Sequence, residues 1–209
     1  MIDNINKIVI DIVRKSSRFL IRDFYELDSH HVGVSNGTEF TNKAFDKVKS
    51  ELDNALKKYF PHIFYSSDIK DEICLHQPVI LIDLTDGANN FARSLPFFSI
   101  SIVIYKSYTD KATPDSVIFY FPIIKEIFYL QRNRGVWLEK ISNSNSGLRR
   151  LKHQKDYLPP KPYVATNIPS ILQDFSSYFQ IMQFNCFSFE FCLLLLGKID
   201  AVITIDRFS

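Results

Sequence analysis

Pro78-Val79-Ile80-Leu81-Ile82-Asp83 sets four aliphatic residues in a row between a proline and a carboxylate. A continuous apolar run this short, closed by a polar turn, is a strand covered on both faces. The chain must therefore supply packing layers on either side of it, which points to helices laid on a sheet.

The flanking periodicities supply those layers. Ile5, Ile8, Val9, Ile12, Val13, Phe19, Leu20 and Phe24 recur at three and four, predicting one N-terminal helix with a buried face. Phe45, Val48, Leu52, Leu56 and Tyr59 repeat the pattern over Asn42 to Tyr59, with Pro61 as the stop. Phe97 to Tyr105, Ser116 to Phe121 and Glu126 to Leu130 are β-rich and join the central strand in one sheet. Gln131 to Pro162 is basic and polar and reads as a surface connection, loosest at Ser142 to Gly147. Beyond it come a strand at Tyr163 to Ala165, helices at Ser170 to Phe179 and Phe187 to Leu196, and a strand at Asp200 to Ile205. The domain organisation expected is an α+β half over 1–140, a polar connection over 141–162 and a second α/β half over 163–209.

Composition narrows the class. With 46% hydrophobic and 23% charged residues among 209, disordered, collagenous and coiled-coil readings fall away. A net charge of +2 gives no electrostatic case for a nucleic-acid partner. Cys74, Cys186 and Cys192 are odd in number and lack metal spacing, so neither disulfides nor zinc are expected, and the compartment expected is reducing. Met1 to Lys7 has no leader character and no apolar run approaches the ~18 residues of a span, which leads to a cytoplasmic, soluble expectation with no membrane partner. Only 6 glycines accompany 19 phenylalanines and 10 tyrosines, so aromatic packing carries the core and each glycine merits inspection.

Chemical character concentrates in Ile82-Asp83-Leu84-Thr85-Asp86-Gly87-Ala88-Asn89-Asn90-Phe91. The strand delivers two carboxylates three residues apart into a turn, and Gly87 opens the backbone to close approach. Asp83, Asp86 and the main-chain carbonyl of Thr85 are oxygen ligands of the kind Mg²⁺ takes, and the amides of Gly87 and Ala88 at a helix start would face a phosphate. The alternative is that Asp83 caps the strand end and Asp86-Gly87 forms an ordinary turn. Elsewhere His30 and His31 read as solvated loop residues, Cys186 and Cys192 as core, Arg149-Arg150-Leu151-Lys152 as a solvated cluster, and Trp137 as packing.

The segment resembles the signature of the inositol monophosphatase family, a strand ending in Asp-Pro-Ile/Leu-Asp-Gly-Thr-Thr-Asn-Phe. Asp83, Asp86, Gly87, Asn90 and Phe91 match it. Leu95-Pro96-Phe97-Phe98-Ser99-Ile100-Ser101-Ile102 is similar to the strand that follows in the family, Gln131 to Trp137 to its hairpin, and Leu196-Gly197-Lys198-Ile199-Asp200-Ala201 to its Gly-x-x-Asp-Ala/Gly segment. The resemblance implies a layered αβαβα sandwich of the inositol monophosphatase or sugar phosphatase type, lacking its C-terminal elements. It also implies a Mg²⁺-dependent hydrolase of small phosphomonoesters, usually a homodimer, with Asp83, Thr85 and Asp86 as metal ligands and Gly87 and Ala88 as phosphate binders.

Four departures from the pattern bear on activity. Ala88 stands where the family has a catalytic threonine, so no residue is assigned as catalytic. Ser66-Ser67-Asp68 replaces a Gly-Glu-Glu ligand sequence, with Asp68, Asp71 or Glu72 as substitutes. The family's Trp-Asp would lie beyond residue 209. Phe187, within Asn185-Cys186-Phe187-Ser188, is bulky where the family has small residues around the sugar-alcohol ring. Weak or lost phosphatase activity is the expectation, and a degenerate member acting by binding or partner interaction is the alternative.

Overall fold

The computed structural model describes residues 4–30, 34–66, 78–106, 113–141, 147–152, 159–168 and 176–204. Three helices lead, α1 (Asn4–Ser16), α2 (Arg18–His30) and α3 (Val34–Leu56). Seven strands follow in one sheet, β1 (His62–Tyr65), β2 (Val79–Asp83), β3 (Ile100–Tyr105), β4 (Ser116–Phe121), β5 (Glu126–Gln131), β6 (Gly135–Lys140) and β7 (Gly147–Arg150), with the short α4 (Ala88–Phe91) after β2. Their spatial order is their chain order. β1 runs parallel to β2, and every later neighbour is antiparallel. A second sheet, entirely parallel, has the order β10 (Ala201–Ile203), β8 (Tyr163–Thr166), β9 (Gln180–Met182), and α5 (Phe187–Leu195) lies before β10.

The two-residue period of a strand builds both sides of the large sheet. Ile118, Tyr120, Ile127 and Tyr129 pack with Val9, Val13, Leu20, Val48 and Leu52 of the three helices. The alternate residues Phe119, Phe121 and Phe128 face the other way, onto Cys186, Cys192, Phe189 and Phe191 of the α5 region. The layers are thus helices, large sheet and α5, with α5 resting on β10 of the small sheet. One polar contact locks the helical layer to the sheet. Buried Asn6 donates through Nδ2 to the Tyr129 hydroxyl at 2.7 Å and to Ser116 Oγ at 3.0 Å.

Several expectations need correction. The N-terminal helix is two helices meeting at Ser17, whose hydroxyl turns back to the Arg14 carbonyl at 3.1 Å, a bond that bends helices. The next helix begins at Val34 rather than Asn42 and ends at Leu56, where the Leu56 carbonyl takes the amides of Tyr59 and Phe60 ahead of Pro61. His30 closes α2 instead of lying in a loop, and His31 falls outside the described residues. The stretch read as a polar connection from Gln131 carries β6 and β7, so the sheet continues through it, with Arg150 over the Trp137 ring at 5.8 Å. β3 starts at Ile100 and β10 spans Ala201–Ile203, both shorter than expected. Most of the helix expected over Ser170 to Phe179 lies outside the described residues, and 176–178 form a turn.

Candidate functional site

At the end of β2 the chain leaves the sheet through Leu84, which is buried, and Thr85, which is exposed. Asp83 fixes that exit: its Oδ1 accepts both the backbone amide and the hydroxyl of Thr85, each at 2.8 Å. The Thr85 carbonyl then accepts the Ala88 amide at 2.9 Å, closing a turn around Asp86 and Gly87. Gly87 has φ +83°, and a Cβ there would lie 2.3 Å from the Phe97 carbonyl oxygen. Only glycine fits this position.

Two side chains of the turn reach across to the second half of the chain. Asp86 accepts the amide of Phe187 on Oδ1 and that of Ser188 on Oδ2, both at 2.8 Å. These are the first two amides of α5, whose own N-cap residue, Cys186, makes no side-chain capping bond. A carboxylate from elsewhere in the fold therefore caps the helix and complements its dipole. Asn90, 5% exposed, donates from Nδ2 to the carbonyls of Phe97 (2.7 Å) and Phe184 (2.8 Å), clamping the start of β3 and the approach to α5 to one point. Below them Ser188 and Ser99 share a 2.6 Å hydrogen bond between hydroxyls, both buried.

Between the turn and α5 lies an open cavity of about 560 Å³. The turn forms one wall, Asn185 to Phe187 and Glu190 the facing one, and Asn167 and Thr204 complete the rim. Its charged residues are Asp86, Glu190 and Arg93. Arg93 is exposed and has no ion-pair partner among the described residues, which leaves a cation facing an amide-rich cavity. Glu190 accepts the Phe184 amide at 3.0 Å. Burial, aided by the charge of Asp86, pushes its carboxyl above the usual carboxylate range against the pull of the Phe184 and Asn185 amides. Burial likewise pushes the thiols of Cys186 and Cys192 far up, so neither is a nucleophile.

The turn thus brings Thr85, Asp86, Gly87 and Ala88 together at one end of the cavity, Asp83 bonds to Thr85 behind them without lining it, and Asp68 lies outside the described residues. Among the described residues, no three of His, Cys, Asp and Glu gather as metal ligands do. Both oxygens of Asp86 hold α5, and Asp83 keeps only Oδ2 free of the turn. The described donors alone fall short of the six or more oxygens a hard cation takes. Sequence reasoning missed Arg93, Asn167 and Glu190, although it set Asn185-Cys186-Phe187-Ser188 beside the family's pocket-lining stretch. Arg93 stands three residues after Asn90 and was within reach of a helical-spacing argument, whereas the others arrive from the far half of the chain and carry no local signal.

No family model matches the chain. It is similar to the protein qutG of Emericella nidulans, 24% identical over 173 residues that make up 78% of this chain and 49% of the relative. It is similar also to the inositol-1-monophosphatase of Caulobacter vibrioides (24% over 132 residues, 62% and 50%) and to the Nus factor SuhB of Xylella fastidiosa (20% over 133 residues, 64% and 47%). The chain spans about half the length of the curated relatives it matches. Among solved structures, the extragenic suppressor protein suhB of Bartonella henselae superposes with a TM-score of 0.71 at 20% identity, covering 94% of this chain and 75% of its own. Inositol monophosphatase II of Staphylococcus aureus does so with 0.72 at 14% identity, covering 95% and 74%. No helix among the described residues is long and apolar enough to cross a membrane.

Proposed function

We propose that this chain, a member of the inositol monophosphatase family by fold and by sequence resemblance, holds a small phosphomonoester in the cavity between the Asp86 turn and α5 and hydrolyses it slowly. The observation that carries this reading is the cavity itself. A left-handed Gly87, the Asp86 carboxylate and Arg93, which has no ion-pair partner among the described residues, converge on about 560 Å³ of polar space, room for a phosphorylated ring compound. Arg93 supplies the charge that a phosphate monoester needs, and a guanidinium suits it geometrically.

Slowness follows from what the turn lacks. Ala88 offers no hydroxyl to orient a water, and Asp86 already serves as the cap of α5. Each 1.36 kcal/mol of transition-state stabilisation forgone is a tenfold loss of rate. Mg²⁺ is the cofactor the family resemblance implies, and its requirement is part of the test.

Phosphate release is measured from inositol phosphates, sugar phosphates and nucleotides, with Mg²⁺, with Mn²⁺ and with chelator, for the wild-type chain, Asp86→Asn and Arg93→Ala. Slow turnover that needs the divalent ion, disappears in Asp86→Asn and shows a raised KM in Arg93→Ala is the expected result. No release above Asp86→Asn removes hydrolysis, and calorimetry with the same ligands then reads whether the cavity still binds them. A second reading, a family member that only binds, draws on the same engagement of Asp86 and is the outcome of that arm.

A further inference from the structure

The far end of the large sheet carries positive charge that the cavity does not use. From Arg132 to Lys152 the sole acid is Glu139, against Arg132, Arg134, Lys140, Arg149, Arg150 and Lys152. Glu139 is taken by Arg14 at 2.7 Å, and Lys140 by Glu126 at 2.7 Å. Arg132, Arg149, Arg150 and Lys152 are exposed and have no ion-pair partner among the described residues. Arg150 lies over the Trp137 ring and so close to Gly135 that a Cβ on that glycine would sit 3.2 Å from its Nη2. Its charge is thereby carried back to the hairpin turn that holds Arg132 and Arg134.

The same corner has an open main-chain edge. β7 is the last strand of its sheet, all of its residues are exposed, and among the described residues no strand pairs with its outer side. Leu151 donates its amide to the Val136 carbonyl at 2.8 Å, in register with the β6–β7 ladder. By the alternation of an antiparallel pair, Gly147 and Arg149 also turn their main chain towards β6, and Leu148 and Arg150 turn theirs outwards. Each of these two offers an N–H and a C=O to an incoming strand. Leu148, 47% exposed, adds an apolar seat on the face that Arg150 shares.

We propose that the outer edge of β7 is a docking site for an extended acidic segment of another protein, which adds to the large sheet as one more strand and sets its carboxylates against Arg149 and Arg150. Charge selects this occupant. A second copy adding edge to edge would bring Arg149 and Arg150 against the same two residues, like charge facing like charge. A nucleic acid or an anionic membrane would meet the cations and leave the outward N–H and C=O groups of Leu148 and Arg150 without main-chain partners. An acidic strand meets both, with main-chain hydrogen bonds giving affinity and the arginines giving choice of partner. No residue of β6 or β7 lines the cavity beside Asp86, so this surface stands independently of the phosphomonoester reading.

The probe is a fluorescein-labelled peptide of alternating glutamate and valine, about eight residues long, whose carboxylates reach either face of the sheet by a one-residue shift of register. Its binding is read by anisotropy at low ionic strength to the wild-type chain, to the double variant Arg149→Glu/Arg150→Glu and to Leu148→Pro, each checked for a native circular dichroism spectrum. Proline at 148 removes an outward N–H and no bond to β6. A fully N-methylated form of the peptide keeps the charge and cannot donate to an edge, so it separates strand addition from plain charge attraction on the wild-type chain alone. The expected result is saturable binding, weakened roughly tenfold or more by the charge reversal and roughly fivefold or more by Leu148→Pro and by N-methylation. No binding of the peptide, or equal binding of its N-methylated form, overturns the proposal. An oligothymidylate or phosphatidylserine vesicles bound as tightly as the peptide, and lost on the charge reversal, overturn it in favour of a nucleic-acid or membrane surface.

Discussion

Asp86 and Ser188 are 102 residues apart in sequence and meet at 2.8 Å, carboxylate oxygen to backbone amide. The neighbouring amide of Phe187 occupies the other oxygen, so the start of α5 is fixed by a side chain from the turn that follows β2. This contact, with that of Asn90 to the Phe184 carbonyl, ties the chemistry-bearing turn to the layer opposite.

Removing that carboxylate uncaps the helix. Asp86→Ala is expected to lower stability by about 1–2 kcal/mol. Asp86→Asn, which retains one acceptor oxygen, should lose less. Urea denaturation midpoints rank the three proteins, and equal midpoints would mean that α5 does not depend on this cap.

Gly87→Ala should be more damaging than either. The substitution demands a left-handed backbone of an alanine and drives its Cβ to 2.3 Å from the Phe97 carbonyl and 2.7 Å from Phe98 Cα, both backbone atoms. A loss above about 2 kcal/mol is expected, read as a drop in melting temperature. A variant as stable as the parent would show that the turn relaxes freely.

Glu190 gives the protein a pH signature. Its folded carboxyl is raised by burial and by Asp86, so on raising the pH the unfolded chain gives up this proton first. Stability contributed by the protonated form is full below the ordinary glutamate range and falls as pH rises through it towards the raised folded value. Glu190→Gln should flatten that decline, and stability curves from pH 4 upward that coincide for the two proteins would contradict it.

Cys186 and Cys192 are each 1% exposed, with thiols held protonated by burial. Neither should react with iodoacetamide at pH 8 in the native protein, and both should after unfolding, as read by peptide mass mapping. Native alkylation at either position would place it nearer solvent than the fold does.

Much of the fold was legible because strands and helices write their burial into their spacing. Val117 to Phe121 is a continuous apolar run of the kind a strand covered on both faces carries, and Ile118 and Tyr120 do face one layer while Phe119 and Phe121 face the other. The break at Ser17 was hidden because Phe19 and Leu20 follow Ile12 and Val13 at seven, so the rhythm resumes in phase across the gap and only a hydroxyl marks the bend. β7 was hidden for the opposite reason: all four of its residues are exposed, so pairing with β6 leaves no alternation to read. At the site, Asp83, Asp86 and Gly87 announced themselves through one local turn. Asn167, Asn185 and Glu190 join them only through tertiary folding, and no spacing rule connects positions about a hundred residues apart.

Strand order in the large sheet also sets a sequence in time. From β2 to β7 each strand pairs with its successor, so those contacts close short loops, whereas α5 meets its Asp86 cap across 101 residues. Short closures cost the least chain entropy and form earliest. A chain emerging from the ribosome can therefore assemble its helices and its seven-stranded platform before α5 exists, with the Asp86 carboxylate already displayed beside the platform as the landing point for that later helix.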